Sequence, residues 1–326
     1  LSHARCLRRR LPPGSAPRRR AGGALSSAST RSARGAAWPG LALALAGSIA
    51  FSAKAIIIKL AYRHGVDAVT LIMYRMLFAL PLFVALAWWS GRGRPALEAR
   101  DWRTVALLGF TGYYLASFLD FLGLQYVSAG LERLILYLNP TLVLLLGALL
   151  FGKRVGGRQF LALGVSYAGV ALVFGHELRL GGPDAALGGL LVFASAVSYA
   201  VYLCYSGEEV RRLGAQRLTG LASTVACVLC IVQFLVLRPV SAMAVAPEVL
   251  WLSLLNATLC TFAPILMVMM AVERIGAALA AQAGMVGPVS TILLGVWLLG
   301  EPFTGWVLAG TVLVLGGIWL LARQRA

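Results

Sequence analysis

Apolar stretches near 20 residues recur along the chain at roughly 38–60, 68–89, 104–124, 129–150, 158–175, 186–205, 218–237, 249–271, 276–299 and 303–322. Each approaches the length an α-helix needs to cross a hydrocarbon core about 30 Å thick. Gly and Pro interrupt many of them, as is common in membrane helices. The pattern predicts an all-α polytopic membrane protein of ten transmembrane helices. Its longest connections, about Ser206 to Arg217 and Ser90 to Arg103, leave no room for a separate soluble domain.

Composition agrees with that reading. The chain is 60% hydrophobic and 13% charged with a mean hydropathy of +0.82, whereas soluble domains carry about 25% charged residues. The excess apolar surface must face lipid. A formal charge of +17 would suggest nucleic acid on a soluble protein, but its placement argues otherwise. Nine of the 29 Lys/Arg fall in the first 34 residues, without an acid among them and amid Pro, Gly, Ala and Ser. Residues 1–36 therefore read as a disordered basic tail. A dispensable or over-extended start, a contact for anionic lipid and a targeting segment are the readings its composition leaves open.

The remaining bases set the orientation. A cytoplasmic N-terminus puts 22 Lys/Arg on the inner side and leaves only Lys59, Arg63, Arg179 and Arg238 on the other; without the tail the contrast is 13 against 4. Both termini are expected in the cytoplasm.

Few motifs point to chemistry. No G-x-x-x-x-G-K-S/T is present, so nucleotide coupling within the chain is not expected. Cys227 and Cys230 have C-x-x-C spacing but lie in an apolar span with no second pair or histidine, and read as small core residues. His3, His64 and His176 fall in the tail or loops, which argues against an embedded enzyme. No metal site and no cofactor are expected.

An internal repeat carries more information. Pro140 aligns with Pro288, Gly152 with Gly300 and Gly157 with Gly305, all 148 residues apart. That offset covers five spans, and an odd number inserts the two halves in opposite directions. The expected organisation is two inverted five-helix repeats, 37–176 and 184–323, an arrangement that secondary transporters use for alternating access around a central site.

The matching segments run from Ser128-Ala129-Gly130 to Pro140 and Phe151-Gly152, and from Gly276-Ala277-Ala278 to Pro288 and Leu299-Gly300-Glu301-Pro302. In these features the chain resembles the EamA-type transporters of the drug/metabolite transporter superfamily, over about residues 38 to 322. The resemblance implies a secondary transporter in a bacterial cytoplasmic membrane. By alternating access it would export a small metabolite, an amino-acid-like or a drug-like compound, driven by a proton or sodium gradient. Metabolite import is the alternative, with a membrane-embedded enzyme or a channel as lesser readings. The partners expected are a small-molecule substrate and membrane lipid, without nucleic acid; monomer and homodimer are both compatible. Lys153-Arg154 stands where the family often has Gly-Glu-Arg, which weakens a role for Glu301.

Charge inside a span is expensive and usually faces a cavity or a partner. Lys54, Arg75, Asp120, Glu132 and Arg133 fall at similar depth in the first four spans. They are candidates for the substrate pathway or for coupling, and equally for a static ion-pair network. Neighbours on a helix do not face each other, so Glu132 and Arg133 are expected to meet different helices: Arg75 or Lys54 for Glu132, Asp120 for Arg133. Long stems could carry Lys54, Lys59 and Arg75 toward the outer interface, and Arg75 is a candidate contact for an anionic substrate group. Asn139, before Pro140, and Gln282, before Pro288, are placed to meet substrate or the carbonyls that proline frees. Tyr137 is a further pathway candidate. Pro140, Pro288, Gly152 and Gly300 read as kink and packing residues.

Overall fold

The computed structural model describes residues 25–152 and 156–322; the side chains of 25–37, 208, 269, 273, 276–278, 281, 282 and 322 lie outside that description. Nine helices account for most of the described residues. They are α1 (Leu25–Tyr62), α2 (Ala68–Gly91), α3 (Ala99–Gly123), α4 (Ala129–Phe151), α5 (Gly157–Leu213), α6 (Ala215–Leu237), α7 (247–284), α8 (Val286–Leu299) and α9 (Gly305–Ala322). Seven segments are long and apolar enough to cross a membrane, and Val286–Leu299 and Gly305–Leu321 are shorter apolar helices. Leu149, Val236 and Trp297 stand on the outer surface at 73%, 76% and 79% exposure, among many other large apolar side chains. A surface this apolar is a lipid-facing one, and the chain is a multi-pass integral membrane protein.

Three boundaries differ from the hydropathy pattern. Helix α1 begins at Leu25, inside the segment whose composition predicts disorder; Ala and Arg there are good helix formers. Residues 1–24 lie outside the described residues. Helix α5 runs through the expected connection at 176–185 and is bent at Gly182, whose φ of +59° only glycine adopts at low cost. Two limbs result, 157–181 and 183–213. Helix α7 passes the charged pair Glu273-Arg274 and continues to Gly284, because the Ala-rich stretch that follows has the highest helix propensity. Its break falls at Met285.

Structural landmarks recur 148 residues apart. Helices α3 and α7 begin at Ala99 and Pro247, and each is interrupted by a π-helical turn, at Phe110–Leu115 and Thr258–Phe262. The break at Tyr137 in α4 matches the one at Met285. Gly152 and Gly300 end their helices with φ of +63° and +71°, and α5 and α9 start at Gly157 and Gly305. A π-helical turn leaves main-chain groups out of register with the α-helical ladder, and hydroxyls take them up. Ser198 donates to the Thr111 carbonyl at 2.8 Å, Ser195 to that of Ala116 at 2.6 Å, and Thr261 to that of Asn256 at 2.8 Å.

In lipid, close packing replaces the hydrophobic drive between helices. Gly169 of α5 and Gly310 of α9 provide it: a Cβ on either would sit 2.7 Å from the carbonyl oxygen of the other. Asp67 caps α2, accepting from the N–H groups of Val69 and Thr70 at 3.0 and 3.2 Å and pairing with Arg238 at 3.1 Å. Partial burial alone would raise its pKa. The bonds from the Thr70 hydroxyl and the helix N–H groups, with Arg238, outweigh that and hold the carboxyl below the usual range.

Candidate functional site

Helices α1 to α4 turn five charged side chains into the interior. Lys54, Arg75, Asp120, Glu132 and Arg133 are all more than nine-tenths buried. The Lys54 Nζ donates to Asp120 Oδ2 at 2.6 Å and lies 3.6 Å from Glu132 Oε1. Its ammonium therefore stays among helices where its stem would have allowed the interface, held by two carboxylates. Asp120 Oδ1 and both Glu132 oxygens have no hydrogen-bond partner. One ammonium bridges the two acids, Arg133 and Arg75 add positive charge nearby, and three carboxyl oxygens accept no hydrogen bond.

The arginines reach across to α7 and α8. Arg133 Nε donates to Thr291 Oγ1 at 2.9 Å and Nη2 to the Phe51 carbonyl at 2.8 Å, with the guanidinium 5.2 Å from the Phe51 ring centre. Glu132 and Arg133 thus serve different partners, as their adjacency requires. Asp120, expected opposite Arg133, instead belongs to Lys54. Arg75 Nε donates to Thr261 Oγ1 at 3.2 Å and the guanidinium sits 5.2 Å from the Phe121 ring centre, while Nη1 has no partner. Arg75 lies inside the bundle and does not snorkel.

The two prolines release carbonyls that specific side chains take. Pro140 has no N–H for the Leu136 carbonyl, and Asn139 Nδ2 donates to it at 2.7 Å. Pro288 leaves the Gly284 carbonyl free, and the Tyr137 hydroxyl donates to it from α4. Ser52 Oγ donates to the Gly287 carbonyl at 2.9 Å on the same stretch. Pro140 sits in the first turn of the second segment of α4, so it starts a helix. The side chain of Gln282, expected to meet such a carbonyl, lies outside the described residues.

A second polar cluster closes one end of the bundle. Lys59 Nζ donates to the Val127 carbonyl at 2.7 Å and lies 3.9 Å from Glu301 Oε1, which accepts from the Ala129 N–H at 2.9 Å. Glu177 accepts from the Ser128 N–H at 3.1 Å and from its hydroxyl. Arg63 Nη2 donates to the Leu299 carbonyl at 2.6 Å. Two carboxylates therefore meet the N-terminus of α4, where free N–H groups favour negative charge. Glu301 is thus part of this cluster even though Lys153, 148 residues earlier, weakens the expectation of a role for it. Its signal was the acid itself beside a conformationally special glycine. Thr261, Thr291 and Ser52 carry no comparable signal, being hydroxyls of a kind found throughout membrane helices.

Comparison with known proteins agrees with this architecture. The model of the EamA-like transporter family matches residues 38–175 and 186–323. The chain is 30% identical over 271 residues to Uncharacterized transporter YcbK of Bacillus subtilis, covering 79% of this chain and 84% of that one. It is 22% identical to an uncharacterized transporter of Archaeoglobus fulgidus, over 83% and 92% of the two chains. One solved crystal structure superposes with a TM-score of 0.59 at 19% identity, over 88% of this chain and 98% of the other. That last likeness is one of fold.

Proposed function

Because the chain belongs to the EamA-like transporter family, and is therefore a secondary transporter and not an enzyme, we propose that it exports a small metabolite, an amino-acid-like or a drug-like compound by alternating access. The membrane is the cytoplasmic membrane of a bacterium. The crossings number ten: the seven long apolar segments, one of them divided at Gly182, and the two shorter apolar helices. The halves are inverted repeats with both termini inside. The 148-residue spacing of their landmarks and the two family matches support this reading.

The observation that carries the coupling mechanism is the enclosed Glu132, whose carboxyl oxygens accept no hydrogen bond beside Lys54 and Asp120. A fully buried carboxylate that accepts no hydrogen bond is costly, so a proton bound between the two acids completes the triad. When the triad opens to water the proton leaves and the Lys54 contacts redistribute. Arg133 and Tyr137 link this event to α8 and to the end of α7, across the line between the halves. Arg75, with Nη1 free, receives an anionic group of the substrate. The Lys59, Glu301 and Glu177 cluster is the outer gate, closed in this state.

The test is an untargeted profile of small molecules outside cells expressing the chain, against cells with equal membrane amounts of Glu132→Gln. Compounds that accumulate with the wild type and not with the variant are the expected result. Equal profiles, including equal to cells lacking the protein, would refute export.

A further inference from the structure

A groove of about 500 Å³ opens on the flank of the bundle between α2, the start of α3 and α6. Its walls are apolar, built from residues such as Val84, Ala87, Leu221 and Val225. At one end stand Arg92 and Arg217, and Trp88 and Trp102 beside them are exposed at 64% and 51%. The transport pathway described above does not use this surface.

The two arginines are fixed in place by neutral groups. Arg92 lies 3.7 Å over the Trp88 ring, and Arg217 Nη2 donates to the Pro95 carbonyl at 3.0 Å. Among the described residues neither pairs with a carboxylate; of the acids on these elements Asp101 and Glu209 are taken by Arg212 and Glu98, at the N-cap of α3, forms an ion pair with neither arginine. Two unneutralised guanidiniums therefore close an otherwise apolar slot. The connection between α2 and α3 carries Arg92 and Arg94 and the first turns of α3 carry Arg100 and Arg103, which assigns this end to the cytoplasmic side under the topology proposed above. Indole rings at such a level sit among headgroups.

We propose that the groove binds an anionic phospholipid of the inner leaflet, its phosphate between Arg92 and Arg217 and one acyl chain along α2 and α6. Phosphate suits paired guanidiniums, which present several donors to its oxygens. The apolar walls need a chain that free phosphate lacks, and the two unpaired charges favour a net-negative headgroup over a zwitterionic one. A lipid seated there ties the α2–α3 connection to α6 and so braces the inner ends of both halves.

The test is native mass spectrometry of the purified full chain offered phosphatidylglycerol and phosphatidylcholine in equal amounts. The wild type retains phosphatidylglycerol selectively. Arg92→Gln lowers that preference about fivefold, the effect of one basic side chain near a charged headgroup, and Arg92→Lys restores much of it. Val84→Trp, which fills the slot and leaves both arginines, also loses the lipid. Equal retention of the two lipids, an adduct indifferent to both variants, or its displacement by millimolar inorganic phosphate would each overturn the proposal. Because the readout is lipid retention, it is independent of whether export is observed.

Discussion

The Tyr137 hydroxyl of α4 donates to the Gly284 carbonyl at the end of α7, the oxygen that Pro288 leaves without a helical donor. A side chain of the first half thus completes the main chain of the second. Removing the hydroxyl strands a half-buried acceptor at the place where the helix restarts.

Tyr137→Phe is accordingly expected to cost about 1 kcal/mol, the scale of a hydrogen bond between membrane helices. Thermal unfolding in detergent should show a Tm lowered by a few degrees. An unchanged Tm would mean that the carbonyl finds another donor.

Among the described residues Lys54 is the one cation in an ion pair with the buried acids, so its loss should exceed the loss of either acid. Lys54→Met leaves the two acids with their shared proton and an unpaired buried negative charge, and is expected to cost about 3–5 kcal/mol. The double variant Lys54→Met/Asp120→Asn should recover most of that. The check is the yield of monodisperse protein and the unfolding midpoint of the single and double variants.

Transport of an anionic substrate should depend on Arg75. Arg75→Gln is expected to raise KM about tenfold or more with kcat little changed, since a charged hydrogen bond contributes about 1.5–3 kcal/mol. Initial rates in proteoliposomes over a range of substrate concentrations separate the two constants. Equal rates for wild type and variant would return Arg75 to a structural role.

At Asp67 the folded carboxyl has a lowered pKa. Its contribution is therefore complete above the usual carboxylate range and is lost as pH falls through the folded value. Asp67→Asn should keep the cap to the Val69 and Thr70 N–H groups while flattening this acid dependence. Asp67→Ala should cost about 1 kcal/mol at neutral pH. Melting curves between pH 3 and 7 distinguish the three proteins.

Glu301→Gln removes the carboxylate that joins Lys59 to the start of α4. Losing a contact of about 1 kcal/mol shifts an open–closed equilibrium about fivefold. A cysteine placed at the buried Leu131 should then react about fivefold faster with an impermeant maleimide added outside. No acceleration would show that the cluster is a fixed cap instead of a gate.

The helical membrane character was legible because lipid imposes a length and an apolar composition on each crossing. Pro140 with Pro288 and Gly152 with Gly300 exposed the 148-residue spacing, since these two residue types mark backbone features that side-chain drift does not erase. Five charged candidates were visible for the same reason that they are costly. Which base meets which acid was not visible: Asp120 pairs with Lys54 and not with Arg133 because helix rotation and packing decide it. The hydroxyls of Thr261 and Thr291 were unreadable, being cheap enough to occur anywhere along a helix. Helix α5 crosses its expected loop because glycine and proline can bend a helix as well as end one.

The π-helical turns at Phe110–Leu115 and Thr258–Phe262 bear on how the chain arose. Such a turn results when one extra residue is inserted into an established α-helix and the helix accommodates it locally. Two independent insertions at equivalent places in two helices require a coincidence; one insertion, followed by duplication of the whole segment, does not. If the halves are duplicates, as proposed above, the ancestral half already carried that surplus residue when it was copied, and the further π-helical turn at Gly295–Leu299, whose counterpart 148 residues earlier is α-helical, belongs to the second half alone.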